Sequence, residues 1–168
     1  MHTTPLAVAA ALALAATAAR AQHPDFTGTY KLDLQASRGD SVGPLPHDRF
    51  AAGLLRIEGH DPTIVLHGTF LYQVGNRDTT TITLHADGHP VIERDAGRTT
   101  TTVSLWSGDT LVTTNRWKAP TDEGTTTTRL SLADGGRTLE WRDRTANPRQ
   151  TYEMVLVFRR LGGSGGRD

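Results

Sequence analysis

Histidines, carboxylates and serines are the side chains here whose spacing could do chemistry. Besides His2 in the leader, histidines stand at His23, His47, His60, His67, His85 and His89. None forms the His-x-x-x-His pair that holds zinc on one helix face. His85 and His89 flank Asp87-Gly88, so two imidazoles and a carboxylate could pinch a metal across a turn. Two solvated turn histidines are the simpler reading. Glu140 and Asp143 alternate with Arg142 and Arg144. Their odd separation sends them to opposite faces of a strand, so they cannot work as an acid/base pair there. Glu140, Arg142 and Arg144 share one face suited to solvated ion pairs, and Glu153 can join them. No Gly-x-Ser-x-Gly occurs, and Ser104 and Ser131 read as strand residues. Gly162 to Gly166 opens no helix and so makes no phosphate cradle. No catalytic residue, metal ligand or cofactor site is assigned, and an enzyme is not expected.

Ligand contact falls instead to the aromatics: Phe70, Tyr72, Trp106, Trp117, Trp141, Tyr152 and Phe158. Trp117 has the strand parity of Leu111, Thr113 and Asn115, and Trp141 that of Leu139. Turned inward, the two indoles would offer stacking surface to a flat or apolar molecule. The competing reading is that they fill a core. Phe70, Tyr72, Trp117 and Trp141 are the candidate lining.

The elements that must position these residues are strands. Period-2 alternation recurs from residue 28 to 160, with no long helical period. Tyr30, Leu32 and Leu34 alternate with Thr29, Lys31 and Asp33. Further strands are predicted over 54–58, 63–74, 79–84, 91–94, 99–105, 111–118, 125–132, 138–145 and 150–160. Gly, Asp, Asn or Pro occupies each gap among the later ones. Gly68 permits a bulge or bend inside its strand. Residues 35–53, with three Gly and two Pro, read as a long loop with one helical turn near Asp48 to Ala52. Nine or ten antiparallel strands in a meander must curl or close, because an open sheet leaves two edges exposed. An up-and-down barrel is the simplest solution, and a two-sheet sandwich the alternative. Threonine tracts begin at Thr79, Thr99 and Thr125. Threonine suits strands. The plain reading puts the tracts on the wet outer face; the sharper one turns their hydroxyls into a hydrated cavity.

Residues 6–19 are Ala, Leu and Val apart from Thr17, too short to span a membrane, and end at Ala19-Arg20-Ala21. This is the pattern of a signal peptide over 1–21, cleaved after Ala21, although no Lys or Arg precedes the apolar run. One domain over 22–161 and a flexible Gly-rich tail over 162–168 follow. The absence of cysteine excludes a disulfide framework, a thiolate metal site and a lipid-anchored amino terminus. Net charge is zero and no basic block suggests nucleic acid. No second apolar run offers a stable membrane anchor. A periplasmic or secreted location is expected.

Phe26-x-Gly28-x-Tyr30, then Leu32-Asp33-Leu34-x-x-Ser37 and a Gly/Pro loop, resembles the opening of exported bacterial lipocalin-like proteins. Trp106-x-Gly108-Asp109-x-Leu111, Leu132-x-Asp134-Gly135-x-x-Leu139 and Tyr152-x-x-Val155-x-Val157-Phe158-Arg159 are similar to that group's hairpins and last strand. The resemblance spans nearly all of residues 22–161. It implies a calycin-type barrel of about 8–10 strands that binds a small apolar or amphipathic molecule in the cell envelope without catalysis. An envelope interaction or inhibitor module acting through its loops is the alternative, with its protein partner unknown. In the wider superfamily an Arg from the last strand packs over a Trp of the first and plugs one barrel end. Tyr30 stands where that Trp would be, and Arg159 or Arg160 is placed to cover it.

Overall fold

The computed structural model describes residues 23–40 and 49–162, and within them almost every residue is in a strand or a tight turn. The proposed signal peptide and all but the first residue of the tail lie outside these residues. Ten strands follow in order: β1 Gly28–Gly39, β2 Phe50–His60, β3 Thr63–Tyr72, β4 Arg77–His85, β5 Val91–Asp95, β6 Arg98–Ser107, β7 Thr110–Lys118, β8 Glu123–Ala133, β9 Thr138–Ala146 and β10 Thr151–Arg160. All pair antiparallel with their chain neighbours except β4 and β5, and β1 pairs with β10. The sheet order is therefore β4-β3-β2-β1-β10-β9-β8-β7-β6-β5. This is an up-and-down barrel in which β4 and β5 are the two ends of the sheet and carry no hydrogen bonds between them. A lone bridge, Asp87 to Leu105, ties the β4–β5 turn across to β6.

Two expectations need correction. Residues 35–39 and 50–53 are strand and not loop or helical turn, since β1 runs to Gly39 and β2 starts at Phe50, while 41–48 lie outside the described residues. Between Asp33 and Arg38 the register of β1 on β10 shifts, so a bulge absorbs the polar, small-residue stretch without ending the strand. Ser37 stitches it: its hydroxyl donates to the Asp33 carbonyl at 2.7 Å and accepts from the Val157 N–H at 3.0 Å. Gly68 makes neither bulge nor bend, since β3 stays in register with both β2 and β4 through it. It makes room: a Cβ there would meet the Phe70 ring at 2.8 Å.

Apolar residues concentrate on one side of the interior. Leu55, Ile57, Ile64, Leu66 and Leu84 from β2–β4 are buried with Leu32 of β1 and Leu156 and Phe158 of β10. Phe50 packs against Phe70 and Tyr72 at 5.2 Å each, and Phe158 meets Phe70 edge-on at 6.5 Å. Phe70 and Tyr72 thus belong to an aromatic cluster on this apolar side.

One barrel end is closed by the chain leading into β1. Phe26 stacks on Trp106 at 5.5 Å, and His23 on the same indole at 4.4 Å. Trp106 donates to the Asp61 carboxylate at 3.1 Å. Tyr30, fully buried, donates its hydroxyl to the Phe26 carbonyl at 2.8 Å. Arg160 lies over the Tyr30 ring at 5.1 Å and donates to its hydroxyl at 2.6 Å.

Candidate functional site

The inner face of β6–β9 is built in cross-strand rows, because register is continuous from β6 to β9. Counting from the closed end, the first row is Trp106, Leu111, Leu130 and Trp141. The second is Ser104, Thr113, Thr128 and Asp143. The third is Thr102, Asn115, Thr126 and Thr145. The fourth starts Thr100, Trp117 and Gly124. Leu111 and Leu130 are buried and floor the polar rows, while Trp117 stands toward the opposite end.

Within the polar rows, neighbours satisfy one another. Ser104 and Thr113 share a hydrogen bond at 2.9 Å, as do Thr126 and Thr145. Thr102 donates to Asn115 at 2.6 Å. Alternate residues of the β6 and β8 threonine tracts therefore face inward, and only their neighbours Thr99, Thr101, Thr125 and Thr127 take the outer face. In β4, by contrast, Thr81 hydrogen-bonds His67 in an exposed contact. The outer-face reading holds for the exposed Thr79 tract and for half of each of the other two, whose inner halves form a hydroxyl wall.

This wall and the apolar side enclose a cavity of about 840 Å³. Ile82, Leu84, Val91 and Leu130 supply apolar lining, and Trp117, Trp141 and Tyr152 the aromatic part. Both indoles singled out by parity line it. Phe70 and Tyr72 are not among its lining residues; ring packing with Phe50 and Phe158 holds them in the core. The strand parity that puts Leu66 inward also puts them inward, but not toward this space.

Trp117 reaches the cavity because it pairs with Gly124. A Cβ on Gly124 would meet the indole at 2.4 Å, so the ring lies across the glycine where any side chain would displace it. Arg98 covers the other side of that indole, 5.3 Å from the ring. Burial of the indole between a glycine and a guanidinium fixes its orientation at the cavity wall.

Asp143, placed by its parity on the face opposite Glu140, is a lining residue that the candidate set did not include. It lines the cavity and is partly accessible from it, yet the surrounding protein raises its pKa by desolvation, partly offset by two hydrogen bonds. Thr128 donates to its Oδ1 at 2.6 Å and Trp141 to the same atom at 2.9 Å. Among the described residues no basic side chain pairs with it. Its parity with Trp141 was readable; a carboxylate on the inner face ran against the expectation that charge faces water.

Other titratable groups reach the same space: Glu93, Arg98, His85, His89 and Tyr152. His89 sits 3.4 Å from Asp87, whose carboxyl is held below the usual range chiefly by the His89 backbone N–H, and His85 meets Thr63 at 3.4 Å. No group of three metal-ligating side chains occurs among the described residues. Glu140 is on the outer face with Arg142 at 2.5 Å, and Arg144 pairs with Glu153 at 3.3 Å across to β10. Arg159 also faces outward, donating to Asp33 at 3.0 Å and Thr138 at 2.7 Å. Arg160 alone covers Tyr30.

No family model matches the chain, and no curated protein matches it. Among solved structures it is similar to a Schistosoma mansoni fatty acid binding protein in complex with arachidonic acid, at TM-score 0.51 and 14% identity over 82% of this chain and 96% of that one. It is also similar to secretory abundant heat soluble protein 4 from Ramazzottius varieornatus (TM-score 0.48, 12% identity, 82% and 95% covered). A third is the zebrafish ileal bile acid-binding protein complexed with cholic acid (TM-score 0.47, 13% identity, 81% and 98% covered). Of these three the first alone passes a TM-score of 0.5, and at its identity it shows a shared fold. The chain has a lipocalin-like, calycin-type β-barrel fold.

Proposed function

We propose that this chain is an exported, non-enzymatic binding protein that holds a small apolar or amphipathic molecule inside its barrel. The observation that carries the reading is the cavity of about 840 Å³ with two indoles, a phenol and aliphatic side chains in its wall. Ligand sites are typically concave, roughly 300–1,000 Å³, mostly apolar, with a few placed polar groups. The fold alone would not support this, since one fold hosts many functions. The similar Schistosoma mansoni protein is in complex with arachidonic acid, which supports an apolar ligand class for such a barrel and no particular ligand. Export rests on the leader over 1–21 with its Ala19-Arg20-Ala21 end. Non-enzymatic action rests on Asp143, whose carboxylate, among the described residues, accepts hydrogen bonds from Thr128 and Trp141, with no nucleophile activated beside it.

An interaction module acting through residues 35–53 has a shorter loop to act with than the sequence suggests, because 35–39 and 50–53 are strand. Displacement of a lipophilic dye, paired with native mass spectrometry, tests the binding reading. One bound equivalent quenching or shifting the tryptophan emission is expected. A protein that takes up no apolar probe would defeat the reading.

A further inference from the structure

The cavity's polarity says which end of a ligand goes inward. Its one deep charged group is Asp143, two rows from the closed end, between Thr128 and Trp141. Both protein donors go to Oδ1. Oδ2 has no hydrogen bond among the described residues, and it is not sealed off, since the only sealed unpartnered side-chain atom among them is Arg160 Nε. A carboxylate oxygen is therefore presented to whatever fills the cavity.

On the reading that the barrel binds a small molecule, we propose that its ligand is a protonated amine carried on an apolar body, with the ammonium against Asp143 Oδ2. An ammonium has three donors and no acceptor. It can bond Oδ2 and the hydroxyl oxygens of Thr113 and Asn115's row, all of which retain lone pairs. The apolar body then lies between Trp141, Trp117 and the aliphatic side of the barrel. Desolvation already raises the Asp143 pKa, so an incoming cation relieves a cost present in the empty site. A ligand carboxylate placed there would instead set two like charges together away from water, which disfavours fatty acids.

Two of the remaining charges that face this space stand at its outer end. Glu93 of β5 is in register with Thr100, in the row of Trp117. Arg98 of β6 is held over Trp117 in the row farthest from the closed end, where it can meet the outer end of a ligand and not the inner one. His85 and His89 lie at the ends of β4 and the β4–β5 turn, and Tyr152 on β10 is in register with Thr145.

Decylamine, decanol and decanoate, matched in chain length and kept below their micellar concentrations, separate the outcomes at pH 7. Binding is read by tryptophan fluorescence and calorimetry. Decylamine is expected to bind at least tenfold more tightly than decanoate, with decanol between them. Asp143→Asn should lower decylamine affinity about tenfold and decanol affinity much less. Decanoate binding as tightly as decylamine to the unaltered protein would overturn the amine assignment while leaving the binding function standing. The same holds for undiminished decylamine affinity in a folded Asp143→Asn protein. Binding of none of the three would sink the binding function itself and the amine assignment with it. Because the three-probe comparison uses the unaltered chain, it decides the matter even if the variant does not fold.

Discussion

Arg160 stacks over the ring of Tyr30 at 5.1 Å while donating to its hydroxyl at 2.6 Å, so first and last strands are locked at one barrel end by a single pair. The same guanidinium donates to the Asp25 carbonyl at 3.3 Å, tying down the segment that carries Phe26. Burial raises the Tyr30 pKa, so the phenol stays neutral and remains a donor to Phe26 at neutral pH.

Removing that ring should cost heavily. Tyr30→Ala is expected to destabilise by about 3 kcal/mol, the scale of deleting a large buried aromatic side chain. Tyr30→Phe keeps the volume and loses the hydroxyl, costing about 1–2 kcal/mol because Phe26 and Arg160 lose a partner. Urea unfolding curves check both; a midpoint unmoved by Tyr30→Ala would show that the ring does not hold the barrel end.

The two adjacent arginines should differ. Arg159 pairs with Asp33 on the exposed outer face, where such pairs contribute roughly 0–1 kcal/mol. Arg160→Ala should therefore destabilise more than Arg159→Ala. Its Nε is sealed without a hydrogen-bond partner among the described residues, a cost that tempers the difference. Equal midpoints for the two variants would contradict the assignment of Arg160 to the plug.

Gly124→Ala should push Trp117 out of its place and also cost stability, since the new Cβ meets the Ala146 carbonyl oxygen at 2.8 Å as well as the indole at 2.4 Å. The expected result is red-shifted tryptophan emission and about tenfold weaker probe binding, equivalent to roughly 1.4 kcal/mol. Unchanged emission and affinity would mean that Trp117 is not part of the wall that ligands touch.

Asp143 gives stability a pH dependence of known sign. Its folded pKa is raised, so the folded state holds the proton more tightly than the unfolded chain. Its contribution is most favourable below the unfolded value of ~3.9 and is lost as pH rises through the raised folded value. Asp143→Asn removes that loss. The variant should be at least as stable as the parent at pH 7, and its advantage should disappear in melts near pH 3. A variant less stable at pH 7 than at pH 3, relative to the parent, would reverse the sign.

Much of this architecture was legible in the chain. Alternation at Tyr152, Met154, Leu156 and Phe158 gives the last strand and its inward face. The same parity extends to Arg160, a signal that selects it over Arg159 without coordinates. Trp117 and Trp141 were legible as neighbours of inward leucines. Phe70 carried the same parity and ended elsewhere, because Gly53 and Gly68 leave it space on the apolar side. The extension of β1 past Asp33 was not legible: a bulge held by Ser37 needs its partner strand, 120 residues away, to be seen.

The sequence by itself determined nine or ten alternating segments and their turns, because a period of two and turn residues are local properties, but not that β4 and β5 stay unpaired across their turn. Only the tertiary structure decided what the threonine tracts do. A run such as Thr125 to Thr128 reads identically on both faces, so no pattern within it distinguishes inside from outside. Register against the flanking strands makes that choice, through Leu130 on one side of the tract and the Trp117–Gly124 pair on the other. It thereby places Thr126, Thr128 and Asp143 in the cavity wall.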